Sequence, residues 1–269
     1  MPELAEVHYY RKQWEPGLGE TVRAVETHPK ARIFREVAAS AIERGLLGET
    51  FRGSHGHGKR MLFEFSSGFW LGLHLGMTGK LFTAPLDHEV AKADHLVLRM
   101  GTLTLVFADS RMFGKLTLEQ TEESREPEWW SSLPPQPQER AFSAKWVATF
   151  VKRFPKTPVK TALLDQRGFP GIGNWMADEI CWRMRLLPQT LCGELSDADR
   201  VELARVTREV ARDAMKVIGE DWSRPPDRWL MNHRWKDGGI CPRRGCRDEL
   251  IREDLRGRTT CWCESCATR

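Results

Sequence analysis

Apolar residues alternate with polar ones in the first part of the chain and recur at three- and four-residue steps in the second. RMLFEF (60–65), SSG and FWLGLHL (69–75) read as strand, turn, strand, and HLVLRM (95–100), GT and LTLVFAD (103–109) repeat the pattern. Connections this short make both pairings antiparallel, which predicts a sandwich or a barrel. Ahead of them, Leu4, Val7, Arg11 and Trp14 fall at helical spacing, so a helix is expected near 3–16. The texture changes at about residue 120. TEESREPEWWSSLPPQPQER is rich in Glu, Ser and Pro and reads as a linker, with Trp129 and Trp130 expected to pack on a domain surface. Beyond it, SAKWVATFVKRF, VKTALLDQ, NWMADEICWRMRLL and DADRVELARVTREVARDAMKVIGE carry the three- and four-residue steps of helices. The expected segments are 1–122, a sheet domain; 123–141, the linker; 142–236, a helical domain; and 237–269, a short Arg- and Cys-rich tail.

Bulk properties narrow the class without naming a function. A chain of 269 residues with 41% apolar content fills one large domain or two ordinary ones, and a formal charge of +4 permits a nucleic-acid partner without demanding one. FSSGFWLGLHLGMTG lacks acids and bases, but it is short, broken by glycines and contains His74, so no membrane span is expected. The N-terminus carries Glu3 and Glu6 and no apolar signal core, which points to the cytoplasm.

Five of the seven cysteines lie in the last 29 residues, and in a chain without a signal peptide such clustering favours metal over disulfides. Cys241-x4-Cys246 and Cys263-x2-Cys266 have the spacing of a four-thiolate zinc ribbon, with Cys261 as the spare because Cys263 and Cys266 form the tighter pair. Cys181 and Cys192 read as buried structural thiols. Arg258 opens RTTCWC; an arginine at a hairpin tip can grip a phosphate by two parallel hydrogen bonds or simply be a solvated surface group.

Two further stretches carry chemistry. The chain begins MPELAEV, where Pro2 and acids in a first turn suit a plain helix start. The same residues admit a second reading: with Met1 removed, Pro2 becomes a secondary amine of far lower basicity than lysine, and so a nucleophile near neutral pH. LLDQRGFPGIGNWMADEI places Gly168, Pro170, Gly171 and Gly173 between two helices, with Asn174 as the expected N-cap and the free helix amides as an anion site suited to DNA phosphate.

Taken in order, MPELAEV, GKRML, HLGMTGKL, DSRMFG, LLDQRGFPGIGNWMADEI and the four-cysteine tail with Arg258 resemble the formamidopyrimidine-DNA glycosylase/endonuclease VIII family of base-excision repair enzymes, over almost the whole chain. The resemblance implies an α+β multidomain fold: an N-terminal antiparallel β-sandwich with an N-terminal helix, then a helical domain with a helix–two-turns–helix motif and a zinc-finger β-hairpin. It implies a bifunctional DNA glycosylase and abasic-site lyase that removes oxidised or ring-opened bases by β,δ-elimination through a Schiff base. Pro2 is then the nucleophile, Glu3 the acid/base partner, Glu6 a second acid near the sugar or amine, and Lys59 a phosphate contact. Met77, Arg111 and Phe113 fill the gap left by the flipped base, while Asn174 and Arg258 clamp phosphates. Cys241, Cys246, Cys263 and Cys266 hold one structural Zn2+, and a single bacterial chain is expected to act as a monomer on damaged duplex DNA.

The sequence departs from the family pattern in three places. Ala5 stands where the commoner opening has proline, and the first cysteine pair is wider than usual. GEDWSRPPDRWLMNHRWKDGG (219–239) lacks the Gly-rich lid of the 8-oxoguanine branch, so the preferred base stays open among oxidised purine, ring-opened purine and oxidised pyrimidine. Two other functions compete. A DNA-lesion binder without chemistry would not need Pro2 and Glu3, and a zinc-ribbon regulator leaves MPELAEV unexplained.

Overall fold

The computed structural model describes residues 1–28, 30–122 and 125–267; residues 123 and 124 of the expected linker and 268 and 269 of the tail lie outside them. The chain forms two compact units: Met1–Pro2 with Glu6–Leu133, and Glu3–Ala5 with Pro134–Arg269.

In the first unit, α1 (Leu4–Lys12) contributes its residues from Glu6 onward, followed by β1 (Ala24–Thr27) and α2 (Ala39–Leu46). Then come β2 (Phe51–His57), β3 (Arg60–Phe65), β4 (Phe69–His74), β5 (Lys80–Ala84), β6 (Asp94–Arg99), β7 (Thr104–Ala108) and β8 (Lys115–Gln120). Two antiparallel four-stranded sheets result, ordered β1-β6-β7-β5 and β2-β3-β4-β8. Alternation sorts the side chains: Met61, Phe63 and Phe65 of β3, with Leu71 and Leu73 of β4, enter a core shared with Leu96, Leu98, Leu105 and Phe107 of the other sheet. Trp14 plugs this core, its ring 4.8 Å from Phe63 and its Nε1–H bonded to the Val106 carbonyl at 3.1 Å. Arg11 fastens α1 to β2 by donating to the Ser54 carbonyl and hydroxyl, at 2.8 and 2.7 Å.

The stretch read as a linker contains a short helix. α3 (Glu128–Ser131) lays Trp129 and Trp130 against the outer face of the second sheet, beside Leu62 and Trp70. A β-carbon at Gly72 would overlap the Thr117 hydroxyl of the neighbouring strand and press on the Trp129 ring at 3.1 Å, which explains the glycine in mid-strand.

The second unit holds α4 (Ala144–Lys152), α5 (Val159–Leu163), α6 (Asn174–Arg183), α7 (Asp197–Ala214) and the hairpin β9 (Ile251–Asp254)–β10 (Thr259–Trp262). α7 starts on a capping box, Ser196 Oγ accepting from Asp199 N while the Asp199 carboxylate accepts from Ser196 N. The periodicity predicts one helix to residue 220, but the coil widens into a π turn over Met215–Gly219. Leu4 and Ala5 are buried in this unit's core with Phe142, Phe169, Ile172 and Met176. Cys181 and Cys192 lie in the same core, and burial pushes both thiols up, Cys192 to about 11, so both are inert. No described helix is long and apolar enough to cross a membrane.

Candidate nucleic-acid site

In the sheet unit, two turns interlock. Leu75–Gly79 follows β4 and closes with a Gly79 N–H to Leu75 carbonyl bond of 2.9 Å. The loop after β7 is organised by buried Asp109. Its Oδ1 accepts from the Thr78 hydroxyl at 2.6 Å and the Arg111 amide at 3.2 Å, and its Oδ2 accepts from the Gly114 amide at 2.7 Å. Gly76 takes a positive φ of 63° and lies so close to the Phe113–Gly114 backbone that a β-carbon would overlap it. Arg35 adds a second fastening, donating to the Gly114 carbonyl at 2.8 Å.

The product is a rigid platform with three outward side chains. Met77 and Phe113 are 44% and 40% exposed, and the exposed Arg111 guanidinium sits 4.7 Å from the Phe113 ring centroid. The structure thus brings Met77, Arg111 and Phe113 together on one pair of turns, although they are distant in sequence.

Lys59, at the β2–β3 turn, is buried (7% exposed). It stands near His74, whose pKa falls to about 4, first because the ring is desolvated and then because Lys59, Arg60, Lys115 and Arg35 surround it with positive charge. The neutral ring accepts the Gly76 amide at Nδ1, 3.0 Å, and thereby braces the Met77 turn. Because the fold depresses this pKa, the stability from the neutral ring is complete above about pH 6.5, the ordinary value, and is lost as pH falls through about 4. Between those limits unfolding should take up about one proton that His74→Gln unfolding does not. Melting curves from pH 7 to 4 check this; parallel pH slopes for the two proteins would refute it.

Met1 is exposed and precedes α1, Pro2 is half-buried, and Glu6 sits half-buried in the first helical turn. Glu3 belongs to the helical unit, where it does what the sequence did not suggest. Its Oε1 accepts from Trp175 N at 2.9 Å and its Oε2 from Met176 N at 3.1 Å, and Leu4 N bonds the Gly171 carbonyl at 3.0 Å. Two expectations are corrected here. Gly173, not Asn174, is the N-cap of α6, and Asn174 is its first helical residue with no capping bond. The helix amides expected to hold a phosphate hold the Glu3 carboxylate instead, because an internal carboxylate satisfies those donors without an external anion. Gly173 is obligatory, since a β-carbon there would overlap the Glu3 side chain.

Asn174 turns its amide elsewhere, Nδ2 donating to the Thr259 carbonyl at 2.8 Å. Thr259 follows Arg258, which is exposed beside a two-residue turn. Arg256 and Gly257 both have positive φ, and Leu255 and Arg258 exchange backbone bonds of 2.9 and 3.2 Å across them. The helical unit therefore brings Asn174 and Arg258 to the same strand end.

Cys241, Cys246, Cys263 and Cys266 have their sulfurs within 4.8 Å of one another, with Cys241–Cys266 at 3.8 Å and Cys246–Cys263 at 3.7 Å. Tetrahedral zinc with Zn–S near 2.3 Å requires sulfurs about 3.8 Å apart, so the thiols present fit the ion. The Trp182 indole N–H reaches the Cys241 sulfur at 3.4 Å, an outer contact that orients a ligand. Cys261 lies outside the four, its amide bonded to Asp178. Cys261→Ser should keep one zinc per chain by metal analysis, whereas Cys263→Ser should lose it; the reverse pattern would refute this ligand set.

Comparison with known proteins gives the class and then the family. Residues 1–116 match the formamidopyrimidine-DNA glycosylase N-terminal domain, and residues 133–224 match the formamidopyrimidine-DNA glycosylase H2TH domain. The fold and its domains are those of a DNA glycosylase. Formamidopyrimidine-DNA glycosylases of Carboxydothermus hydrogenoformans and Thermus thermophilus are 31% and 34% identical, each over 99% of this chain and 99% and 98% of theirs. The Lactococcus lactis formamidopyrimidine-DNA glycosylase bound to DNA with an abasic site superposes with a TM-score of 0.85 at 26% identity, over 99% of this chain and 100% of that one. MutM in complex with DNA containing carbocyclic 8-oxo-G gives 0.86 at 26% identity over 100% of both chains. The chain belongs to the formamidopyrimidine-DNA glycosylase family.

Proposed function

We propose that this chain is a bifunctional DNA glycosylase and abasic-site lyase that removes oxidised and ring-opened purines from duplex DNA. The observation that carries the reading is the placement of Glu3, buried and gripped by two helix amides, directly beside Pro2 in the chain. With Met1 removed, the Pro2 amine attacks C1′ of the damaged nucleotide, and the bond from C1′ to the base breaks, the base leaving with the electron pair and a proton. The C1′–O4′ bond then opens, O4′ taking a proton, and the resulting iminium acidifies the neighbouring sugar proton, so that elimination cuts the strand on the 3′ and then the 5′ side. Glu3, held in one orientation, moves the protons at the sugar. Glu6 supports the amine or the sugar from the first turn.

The base must leave the stack before an amine can reach its sugar. Met77 and Phe113 suit unstacked base edges, and Arg111 can donate to the widowed partner base. Lys59, Asn174 and Arg258 then hold phosphates near the lesion. Cys241, Cys246, Cys263 and Cys266 would hold one structural zinc and so shape the hairpin that presents Arg258; four thiolate ligands would leave it no open position for a substrate.

A lesion panel tests the activity. Duplexes bearing 8-oxoguanine, a ring-opened purine, an oxidised pyrimidine or an abasic site should be cleaved to ends with phosphate on both sides of the gap, with the purine lesions fastest. Release of base without strand cleavage would remove the lyase half; a faster oxidised pyrimidine would reassign the substrate. Arg258→Ala should weaken binding to lesion and abasic DNA alike and lower the slope of log K against log salt by about 0.9, one phosphate contact. An unchanged slope would take Arg258 off the backbone.

A further inference from the structure

A buried ionic cluster lies between α6 and the zinc hairpin, built partly from the segment that departs from the family's lid. Lys160 is 1% exposed, Asp178 0% and Arg234 3%. Asp178 Oδ1 pairs with Lys160 Nζ at 2.7 Å, and Oδ2 accepts from Arg234 Nε and Nη2 at 3.0 and 2.6 Å. Such a cluster buries two cations against one carboxylate, and groups this deeply desolvated persist only where every donor has an acceptor. The surplus donors find one in the hairpin. The Thr259 carbonyl receives Lys160 Nζ at 2.9 Å and Arg234 Nη2 at 3.3 Å, in addition to Asn174 Nδ2 at 2.8 Å. Lys160 also donates to the Thr260 hydroxyl at 2.8 Å, and Asp178 Oδ2 accepts the Cys261 amide at 3.1 Å.

The geometry follows from two periodicities. Asn174 and Asp178 are one helical turn apart and share a face of α6. The Thr259 carbonyl and the Cys261 amide are two residues apart on a strand and so lie on the same edge. A two-stranded hairpin has open edges, and here the edge of β10 away from β9 is closed by side chains of α5, α6 and the segment around Arg234. Arg234 is held in turn: Trp229 and Leu230 are buried, and the Met231 amide bonds Glu179 Oε2 at 3.2 Å. Residues 229–234 are therefore a clamp on α6.

From this we propose that Arg234, acting with Asp178 and Lys160, is a positioning residue that fixes the Thr259 carbonyl and through it sets both Arg258, its chain neighbour, and Asn174, its hydrogen-bond partner, for phosphate binding. Arg234 itself is buried and touches no ligand. The Arg258 and Asn174 roles rest on the proposed function; the lock on the hairpin does not, and the experiment separates the two.

The test compares wild type, Arg234→Met, Arg234→Lys, Arg258→Ala and the Met/Ala double variant, each checked for one zinc per chain and a cooperative melt. Hydrogen exchange on the free proteins reads the lock without DNA. Arg234→Met should speed exchange of the Cys261 amide at least about tenfold with α7 unchanged, and Arg234→Lys should restore part of the protection. Binding to an abasic duplex across a salt series reads the consequence. Arg234→Met should bind about tenfold more weakly and lose about 0.9 of the salt slope, as Arg258→Ala does, and the double variant should lose no more than Arg258→Ala alone. Unchanged Cys261 exchange in Arg234→Met would overturn the lock, and additive losses in the double variant would overturn its action through Arg258. Wild type that ignores abasic DNA would overturn the DNA reading, with the exchange result still deciding the lock. If Arg234→Met loses zinc or its melt, Arg234→Lys carries both readouts, and its full equivalence to wild type in slope and exchange would show that the fork geometry of arginine is not used.

Discussion

Pro2→Gly should reduce strand cleavage at an abasic site by on the order of 10²-fold or more, the scale of one positioned catalytic group, while leaving the affinity for the same duplex within a factor of two or three of wild type. The change removes the secondary amine and the ring that orients it. It leaves α1 in place, because the helix begins at Leu4 and is secured by Leu4 N on Gly171, by the Arg11 bonds to Ser54 and by Trp14 in the sheet core. Met77, Arg111, Phe113, Asn174 and Arg258, which carry the proposed DNA grip, lie on other elements. Binding and cleavage should therefore separate. If both fall together, Pro2 is a structural residue; if cleavage is unchanged, the reaction does not use the secondary amine and ring of proline, because the primary amine of the glycine variant can also form an imine.

Gly173→Ala should be nearly as damaging for a different reason. Its backbone is extended, with φ −123° and ψ −161°, so alanine meets no backbone strain there. The obstacle is the Glu3 side chain, which occupies the space a β-carbon needs. Since that carboxylate is pinned by Trp175 N and Met176 N, the methyl group must push it off the helix start. Misplacing a catalytic group by about 1 Å can cost on the order of 10²-fold. The melting temperature should drop only as far as the loss of one cap dictates, about 1 kcal/mol. Glu3→Gln is the control: the amide still accepts from the helix through Oε1 but cannot exchange a proton as a carboxylate does. Steady-state cleavage of an abasic duplex by both variants, with melts alongside, checks the account. An active Gly173→Ala would mean that Glu3 does not need its cap to work.

How legible these features were depended on sequence distance. The strands β3, β4, β6 and β7 read directly from alternation, because each pair is joined by a short turn and buries a continuous apolar face. The placement of β8 against β4, Leu71 opposite Leu118, follows from no local pattern. The four thiols could be read from spacing alone, since ligand chemistry is carried by residue type. Trp129 and Trp130 read as packing residues from their chemistry in a polar stretch, whereas the helix that seats them is only four residues long and has no periodicity to show.

The role of Glu3 was hidden because its donors lie 172 and 173 residues away, and the local rule for a helix start pointed to Asn174 and an external anion. Gly173 carried the signal: a glycine before a helix, with φ negative, makes room for a side chain rather than for a turn. The Lys160–Asp178–Arg234 cluster was equally silent, as charged residues within helical patterns are ordinarily solvated and only the packing of three separate segments buries them.

The most direct test of the central claim is borohydride reduction of the purified protein on an abasic duplex, followed by mass mapping of the adduct. The account predicts a protein in which Met1 has been removed, cross-linked one-to-one through the Pro2 nitrogen. An adduct on a lysine, or a fully active chain that retains Met1, would contradict it.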